Sequence, residues 1–160
     1  CTKPVSFVRM QLSSVYTFDA PRETVWKLLL DPNTLAECLP GCESLKPAGN
    51  DTFRAALTIG VAAVSGRYEG TVKIVNRREP SSYKLVVDGQ GRGGFVRGEA
   101  TVSLASDGNH DDRTIITVEG RAQVGGTVAR VGQRLLASVS KMMMDRFFAC
   151  LSKKAGDDSS

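Results

Sequence analysis

The sequence predicts an α+β fold in which a curved antiparallel sheet wraps around a long carboxy-terminal helix. From about residue 43 to residue 124, apolar and polar residues alternate with a period of two, which is typical of strands with one buried face. From about residue 125 to residue 154, apolar residues recur at helical spacing without a proline. Two short helical segments separate a first strand from the strand-rich region.

The chain of 160 residues has the length of one domain, which is enough to enclose a single hydrophobic core. Met10 directly precedes the first strand pattern, so we interpret residues 1–9 as an extension or as residues foreign to the natural chain. Residues 10–154 are predicted to form the domain, and residues 155–160 a frayed polar tail.

Local signals predict the first strand and the two short helices. The stretch QLSSVYTFD alternates apolar and polar residues and ends before Pro21. Pro21 begins a helix, where its missing N–H costs nothing, and Pro32 ends that helix. The following NTLAECL forms one or two further helical turns, which end at Pro40 and Gly41.

The stretches PAGND, REPSS, DGQGRGG and SDGNHDD are turn-forming and divide the next region into five or six antiparallel strands. The strand face predicted to point inward carries small residues near its middle, namely Gly70, Gly98, Ala100, Gly120 and Ala122. Small residues on a concave face leave space. The pattern therefore predicts either a pocket or a groove that bulky side chains of the long helix fill.

The end of the long helix, KMMMDRFFACL, is more apolar than one packed stripe requires. Met142, Met143, Met144, Phe147 and Phe148 together cover well over half of the helix circumference. Either the sheet and the short helices hold this segment from two sides, or part of it contacts a ligand, a partner subunit or a lipid interface.

The cysteines show no spacing that is typical of a zinc site or of a redox dithiol. Cys38 and Cys42 are separated by three residues, and Cys150 is distant from both in sequence. We predict reduced thiols in a cytosolic protein, with Cys38 and Cys42 as small apolar side chains of a loop. No metal or other cofactor is predicted.

A net charge of +4 and a pI near 9.0 favour an acidic partner or an anionic membrane surface. Nucleic acid is not expected, because no basic stripe with interleaved aromatic residues is present. The stretch GQGRGG formally matches a dinucleotide-binding motif but lies between two strands and lacks the helix that would bind phosphate. His110 lies beside two aspartates in a turn, with no nucleophile placed for activation.

Four ordered motifs resemble the family of the carbon monoxide dehydrogenase G-subunit (CoxG), within the START-like, helix-grip superfamily. They are FDAPRETVWKLLLDPNTLAECLPGCESL, GRYEGTVKI, GGFVRGEATVSL and QVGGTVARVGQRLLASVSKMMMDRFF. The resemblance extends from about Leu12 to Leu151 and implies a helix-grip (START-like) fold with two short helices after the first strand. It also places the LPGC segment near the mouth of a cavity, with Cys38 and Cys42 as loop and lining residues.

The resemblance implies a non-catalytic accessory protein of a molybdenum hydroxylase of carbon monoxide dehydrogenase type. Such a protein binds a hydrophobic ligand, a quinone or a lipid, recruits the enzyme to the membrane, or does both. It would be cytoplasmic, with peripheral contact to the inner face of the cytoplasmic membrane as a further expectation. Family members are not the subunits that hold molybdenum, iron–sulfur clusters or flavin, so no cofactor is implied.

The residues predicted to line the cavity are Trp26, Phe53, Leu57, Tyr68, Val72, Phe95, Leu135, Val139, Met142 and Met143, with Arg97 and Arg134 at polar atoms of the ligand. The predicted contacts with a partner or a membrane are Met144, Arg146, Phe147 and Phe148. Two alternatives stay open at this point. One is a docking or assembly factor with a filled groove, and the other is a cyclase-like enzyme that would need an acid or base such as Glu99, Glu119 or Tyr68 inside the pocket.

Overall fold

The computed structural model of the protein describes residues 7–60, 65–108 and 110–158. Within them the strands are β1 (Phe7–Phe18), β2 (Cys42–Pro47), β3 (Thr52–Ile59), β4 (Gly66–Arg78), β5 (Ser82–Gly91), β6 (Gly94–Asp107) and β7 (His110–Gly125). The helices are α1 (Arg22–Leu29), α2 (Pro32–Cys38) and α3 (Gln133–Asp158), and a 3₁₀ helix (Thr127–Val131) precedes α3.

The strands form one seven-stranded sheet in the order β1-β7-β6-β5-β4-β3-β2. Neighbouring strands pair antiparallel throughout this order, so β1 and β2 are the two edges. Helices α1 and α2 connect these edges, and α3 packs against β1, α1 and α2 on the concave side. The predicted α+β, helix-grip architecture is therefore confirmed. In the part of the chain described here, no helix combines the length and apolar composition needed to cross a membrane.

Asp31 and Pro32 set the start of α2. The Asp31 carboxylate accepts hydrogen bonds from the Asn33 backbone N–H at 3.2 Å and from the Thr34 hydroxyl at 2.8 Å. The bond from Asn33 satisfies one of the backbone donors that the first helical turn leaves without partners, and the bond from the Thr34 side chain holds the carboxylate in place. Pro32 occupies the first turn, where a backbone donor is not needed. Asp31 and Pro32 together therefore explain why α2 begins at this point of the chain.

One end of the concave face is filled by a hydrophobic cluster that we call the closed end: Phe18, Trp26, Tyr83, Val102, Leu104, Ile116, Phe148 and Leu151. The Trp26 and Tyr83 rings meet edge to face at 5.4 Å between centroids. Phe148 stacks on Tyr16 at 4.3 Å. Because these contacts join α1, α3 and the sheet, they hold three layers together at this end.

The Met/Phe-rich end of α3 is clasped from two sides. Phe148 is only 5% exposed in the closed end, and half-buried Met144 and Phe147 pack against the same cluster. Arg146 is exposed. The prediction that Phe148 contacts a partner or a membrane is therefore wrong, because the sheet and the short helices already cover its ring.

The structure divides the predicted long helix differently. Strand β7 continues to Gly125, the 3₁₀ helix follows, and α3 begins at Gln133. Gly126 and Gly132 bound the 3₁₀ helix with φ values of 87° and 90°, which side chains disfavour. The Gln133 side chain then donates to the Arg9 carbonyl at 2.7 Å and ties the start of α3 to β1.

The predicted chain divisions also differ from the structure at both ends. β1 begins at Phe7, which pairs with Gly125, so the sheet extends before Met10. At the other end, α3 continues to Asp158 and Ala155 is only 1% exposed. The predicted tail therefore begins inside the helix. The terminal residues 1–6 and 159–160 lie outside the described part of the chain.

A disulfide joins Cys38 at the end of α2 to Cys150 in α3. Packing of the two helices brings the Cα atoms to 5.4 Å, within the range that a disulfide spans. The prediction of reduced thiols is therefore wrong for this pair, whose separation of 112 residues hides it from sequence reading. Cys42 is a free, half-buried thiol, and burial raises its pKa.

We expect Cys150→Ala to lower the free energy of unfolding by about 2–4 kcal/mol, because the bond restrains a long loop of the unfolded chain. Reductant should destabilise the unsubstituted protein by a similar amount and leave the variant unaffected. Cys42→Ala is the matched control and should keep its sensitivity to reductant. Denaturant unfolding with and without reductant measures these differences, and equal stability under both conditions would contradict the bond.

We expect Phe148→Ala to cost about 3–5 kcal/mol, because it empties the centre of the closed end. Arg146→Ala, on the exposed side of the same helix turn, should change stability by less than about 0.5 kcal/mol. Thermal or denaturant unfolding of the two variants provides the measurement. Similar stabilities of both variants would mean that Phe148 is not a core residue.

Candidate functional site

A cavity of about 300 Å³ lies between α3 and the concave face of the sheet, beyond the closed end. Every strand except β2, together with the 3₁₀ helix and α3, contributes to its wall. The lining side chains are Met10, Leu12, Ala55, Leu57, Ile59, Tyr68, Val72, Val87, Val96, Ala122, Val124, Val128, Leu136, Val139, Ser140 and Met143. Gly70 and Gly89 also line it, as do Glu69, Thr71 and Asp88, which occupy the alternate positions of β4 and β5 beside these glycines. The sequence predicts either a pocket or a filled groove, and the structure has both: the closed end is filled, and the other end of the groove holds the cavity.

Strand register explains where the empty space lies. Ala55 pairs with Gly70, Gly70 pairs with Gly89, and all three line the cavity. The row continues to Val96 on β6. Residues opposite each other in neighbouring strands share a face of the sheet. Three of the smallest residues thus lie side by side on the concave face, and no side chain from the sheet occupies the space in front of them.

The glycines of this face have two different roles. A Cβ on Gly70 would collide with the backbone carbonyl of Asp88, and one on Gly98 would lie 2.6 Å from the Arg121 carbonyl oxygen. Those two glycines permit close backbone approach. At Gly89 the nearest atom to an added Cβ is 3.7 Å away, an ordinary contact distance. Gly89 therefore leaves open space that a side chain has room to occupy.

Of the residues predicted to line the cavity, five are at its wall: Leu57, Tyr68, Val72, Val139 and Met143. Trp26 is buried in the closed end, and Phe53 packs against that cluster. Leu135 packs beside the cavity in a second cluster, around Leu136 and Val139. Arg134 is exposed on the first turn of α3, and neither it nor Met142 is among the lining residues.

Phe95 and Arg97 lie on the outer face of the sheet. Val96 lines the cavity, and side chains of a strand alternate between its two faces. Accordingly, the Arg97 guanidinium lies 5.3 Å above the Phe95 ring and 3.8 Å from the Asp88 carboxylate. The prediction that Phe95 and Arg97 line the cavity is therefore wrong, because they are the strand neighbours of Val96 and face the opposite side of the sheet.

The family resemblance implies that Cys38 and Cys42 are loop and lining residues at the cavity mouth. Cys38 is instead the last residue of α2 and is buried in the core, and Cys42 is the first residue of β2. Neither is among the lining residues. The LPGC segment is thus a turn between a helix and an edge strand, and its two cysteines differ in role.

The cavity face of α3 carries Leu136, Val139, Ser140 and Met143, of which the sequence predicted Val139 and Met143 and missed Leu136 and Ser140. These positions are spaced by three, one and three residues, as expected for one helix face. The signal was present, but the shorter apolar run at the helix end obscured it. Ala55 and Gly89 were missed as well, because a small residue on a strand says nothing by itself about which neighbours lie beside it.

The cavity wall carries few polar groups. Among the described lining residues, Tyr68, Thr71 and Ser140 carry hydroxyls. Thr71 lies between Gly70 and Val72, so strand alternation directs its side chain to the outer face and leaves the hydroxyls of Tyr68 and Ser140 facing inward. Burial raises the pKa of the Tyr68 phenol above its usual value of about 10, so the phenol is protonated at neutral pH. The carboxylate of Glu69, one residue further along β4, instead pairs with Arg67 at 2.8 Å on the other side of the strand. The wall therefore suits an uncharged, mostly apolar molecule.

The carboxylates considered as acid or base residues lie outside the cavity. Glu99 pairs with Lys84 at 2.9 Å and with Arg121 at 3.0 Å, and hydrogen bonds from these two residues lower its pKa. Glu119 is exposed on the same outer face. Within the described residues, no group of three or more histidine, cysteine or acidic side chains is placed to hold a metal ion.

Comparisons with solved structures identify the fold. A conserved protein from Geobacillus kaustophilus shares 35% identity, with a TM-score of 0.87 over 94% of this chain and 96% of its own. A START superfamily protein from Mycobacterium smegmatis shares 13% identity, with a TM-score of 0.70 over 92% and 97%. A point mutant of norcoclaurine synthase from Thalictrum flavum, in complex with a transition state analogue, shares 16% identity, with a TM-score of 0.69 over 98% and 100%. The last two similarities show the fold alone.

The family comparison covers most of the domain. No curated protein matches the sequence significantly. The family described as the G-subunit of carbon monoxide dehydrogenase (CoxG) matches residues 16–156, which include α1, α2, all but the last two residues of α3 and almost every lining residue of the cavity. The chain therefore belongs to the CoxG family, and its fold is that of the START-like, helix-grip proteins.

Proposed function

We propose that this protein binds a hydrophobic small molecule, a quinone or a lipid, as an accessory protein of a molybdenum hydroxylase of carbon monoxide dehydrogenase type. The observation that carries the proposal is the apolar cavity of about 300 Å³ between α3 and the sheet. This volume is at the lower end of the ~300–1,000 Å³ range of small-molecule sites. Membership of the CoxG family supports the link to a dehydrogenase.

The size of the cavity favours a ring or a short chain over a complete lipid with two acyl chains. Burying apolar surface contributes about 25 cal/mol per Å², so a compact ligand gains affinity without a charged contact. Leu57, Ile59 and Met143 are only half-buried in the wall. A longer apolar tail has a path out of the cavity along these side chains, towards a membrane or a partner protein.

A non-catalytic role is part of the proposal. Glu99 and Glu119, the carboxylates that a cyclase-like reaction would need, are on the outer face of the sheet. Tyr68 faces the cavity, but the raised pKa of its phenol makes it a poor base at neutral pH. The norcoclaurine synthase similarity concerns the fold and carries no activity to this chain.

To test ligand binding, we expect Gly89→Leu to weaken the binding of duroquinone, a compact quinone with no free ring position, about tenfold or more. The leucine side chain would occupy space that the bound quinone needs. Crowding of this kind costs on the order of 1–3 kcal/mol, which corresponds to a loss of affinity of about tenfold or more. Val86→Leu is the control, because Val86 is on the same strand but 40% exposed on the outer face. Fluorescence or calorimetric titration measures affinity, and thermal unfolding checks that both variants are folded.

Native mass spectrometry with organic extraction should identify the ligand that the protein carries from its host. A stoichiometric quinone or lipid that is lost in Gly89→Leu and kept in Val86→Leu would support the proposal. Equal ligand content in both variants would contradict the assignment of the cavity as the binding site.

Three arginines support contact with an anionic membrane surface. Arg92 is in the β5–β6 turn, Arg130 in the 3₁₀ helix and Arg134 in the first turn of α3, and all three are exposed. A hydrogen bond of 2.8 Å from the Val128 N–H to the Gly93 carbonyl brings the turn and the 3₁₀ helix together. This arginine surface lies beside the cavity end that Val128 lines.

The arginine surface carries little compensating charge. Residues 89–98 and 120–144, which form it and the strands beside it, contain no aspartate or glutamate. Arg97 and Arg121 pair with carboxylates on the outer face of the sheet. Among the described residues, Arg92, Arg130 and Arg134 form no ion pair. Basic residues close to an anionic membrane contribute about 1 kcal/mol each, so three suffice for reversible contact.

We expect replacement of Arg92, Arg130 and Arg134 by Glu to abolish binding to vesicles that contain phosphatidylglycerol. The control replaces three other exposed arginines, Arg54, Arg78 and Arg146, by Glu, and gives the same net charge. Cosedimentation at low and high salt measures binding, which salt should weaken. Equal loss in both triple variants would mean that net charge alone matters, and no vesicle binding by the unsubstituted protein would contradict the membrane contact.

A further inference from the structure

The cavity-facing stripe of α3 contains one polar side chain. Leu136, Val139 and Met143 are apolar, and Ser140 lies between them on the same helix face. Across the cavity, the strands present apolar side chains and the glycine–alanine row of Ala55, Gly70 and Gly89. The Ser140 hydroxyl is therefore the one polar side-chain group that α3 contributes to the described cavity wall.

The Ser140 hydroxyl forms no hydrogen bond within the described part of the chain. Serine in a helix commonly donates to the carbonyl four residues earlier, and here that bond is not made. Ser140 is half-buried and its hydroxyl is not fully enclosed by the described protein atoms, so water has access to it in the empty cavity. A purely apolar ligand would displace that water and leave the hydroxyl without a partner, whereas a ligand oxygen would replace the lost hydrogen bond. Alanine at this position would avoid that loss and is also the better helix former.

The second inward hydroxyl, on Tyr68, is at a different place in the cavity. The Tyr68 ring lies along Gly91, and its hydroxyl would be 3.4 Å from a Cβ placed on Gly93, at the β5–β6 turn. Tyr68 already interacts with another group of the protein. Ser140 is thus the hydroxyl that remains for a ligand on the helix side of the cavity.

We propose that Ser140 is the polar anchor of the cavity and that the ligand places a carbonyl or hydroxyl oxygen against it. The inference rests on the proposed ligand-binding function and narrows the ligand class to compact apolar molecules with one such oxygen inside the cavity. Because a serine hydroxyl both donates and accepts, it bonds a quinone carbonyl as well as a hydroquinone hydroxyl. A pure hydrocarbon chain leaves the hydroxyl without a partner and is selected against.

Two probes with the same carbon skeleton separate the hydrogen bond from apolar burial. Duroquinone carries two carbonyl oxygens, and durene is the corresponding tetramethylbenzene without them. We expect Ser140→Ala to weaken duroquinone binding about fivefold, the effect of one net hydrogen bond, and to leave durene binding unchanged or slightly tighter. Ser140→Thr, which keeps the hydroxyl, should retain the preference for duroquinone.

Ser138→Ala is the matched control, because Ser138 is on the same helix but exposed and away from the cavity. It should bind both probes as the unsubstituted protein does. Competition against an environment-sensitive fluorescent probe measures both affinities. If Ser140→Ala binds duroquinone as tightly as the unsubstituted protein, or loses both probes equally, the anchor is wrong while the cavity assignment stands. If the unsubstituted protein binds neither probe, the proposed ligand-binding function itself is wrong.

Discussion

The position of α3 is the constraint on which the rest of the structure depends. Its carboxy-terminal half is held at the closed end, where Phe148 stacks on Tyr16 at 4.3 Å and Cys150 is bonded to Cys38. Its first turn is held by the hydrogen bond from Gln133 to the Arg9 carbonyl at 2.7 Å. Because the helix is attached at both ends, it does not move into the sheet to fill the groove between them, and the cavity persists.

The size of the cavity follows from the sheet. Where bulky residues such as Ile116 and Leu104 face α3, the groove is filled, and where Ala55, Gly70 and Gly89 adjoin, it is empty. Gly70 is required by the close approach of β4 and β5, whereas Gly89 meets no such restriction. A side chain at Gly89 would fill part of the cavity, and cavities cost free energy. Stability alone therefore does not favour a glycine at this position.

The two faces of the sheet separate two kinds of chemistry. The described cavity wall is apolar apart from the hydroxyls of Tyr68 and Ser140, while ion pairs such as Lys84–Glu99, at 2.9 Å, are on the outer face of the sheet. This separation is what a carrier of an uncharged molecule needs, because a carboxylate inside the wall would have to be desolvated with every apolar ligand. The arginine surface beside Val128 adds a charged contact next to the cavity without placing charge inside it.

The sequence by itself determined the order of elements, the approximate ends of α1 and α2 and the small character of the inward strand residues, because alternation, prolines and turn residues act over a few positions. It also carried the motifs of the CoxG family. Only the tertiary structure decided that Phe148 is core, that Phe95 and Arg97 face outward, and that Cys38 meets Cys150 across 112 residues. Pairing register and helix packing decide such contacts, and both depend on residues far apart in the chain. For the same reason the row of Ala55, Gly70 and Gly89, and Ser140 opposite the sheet, became recognisable as one site only once the strands were side by side.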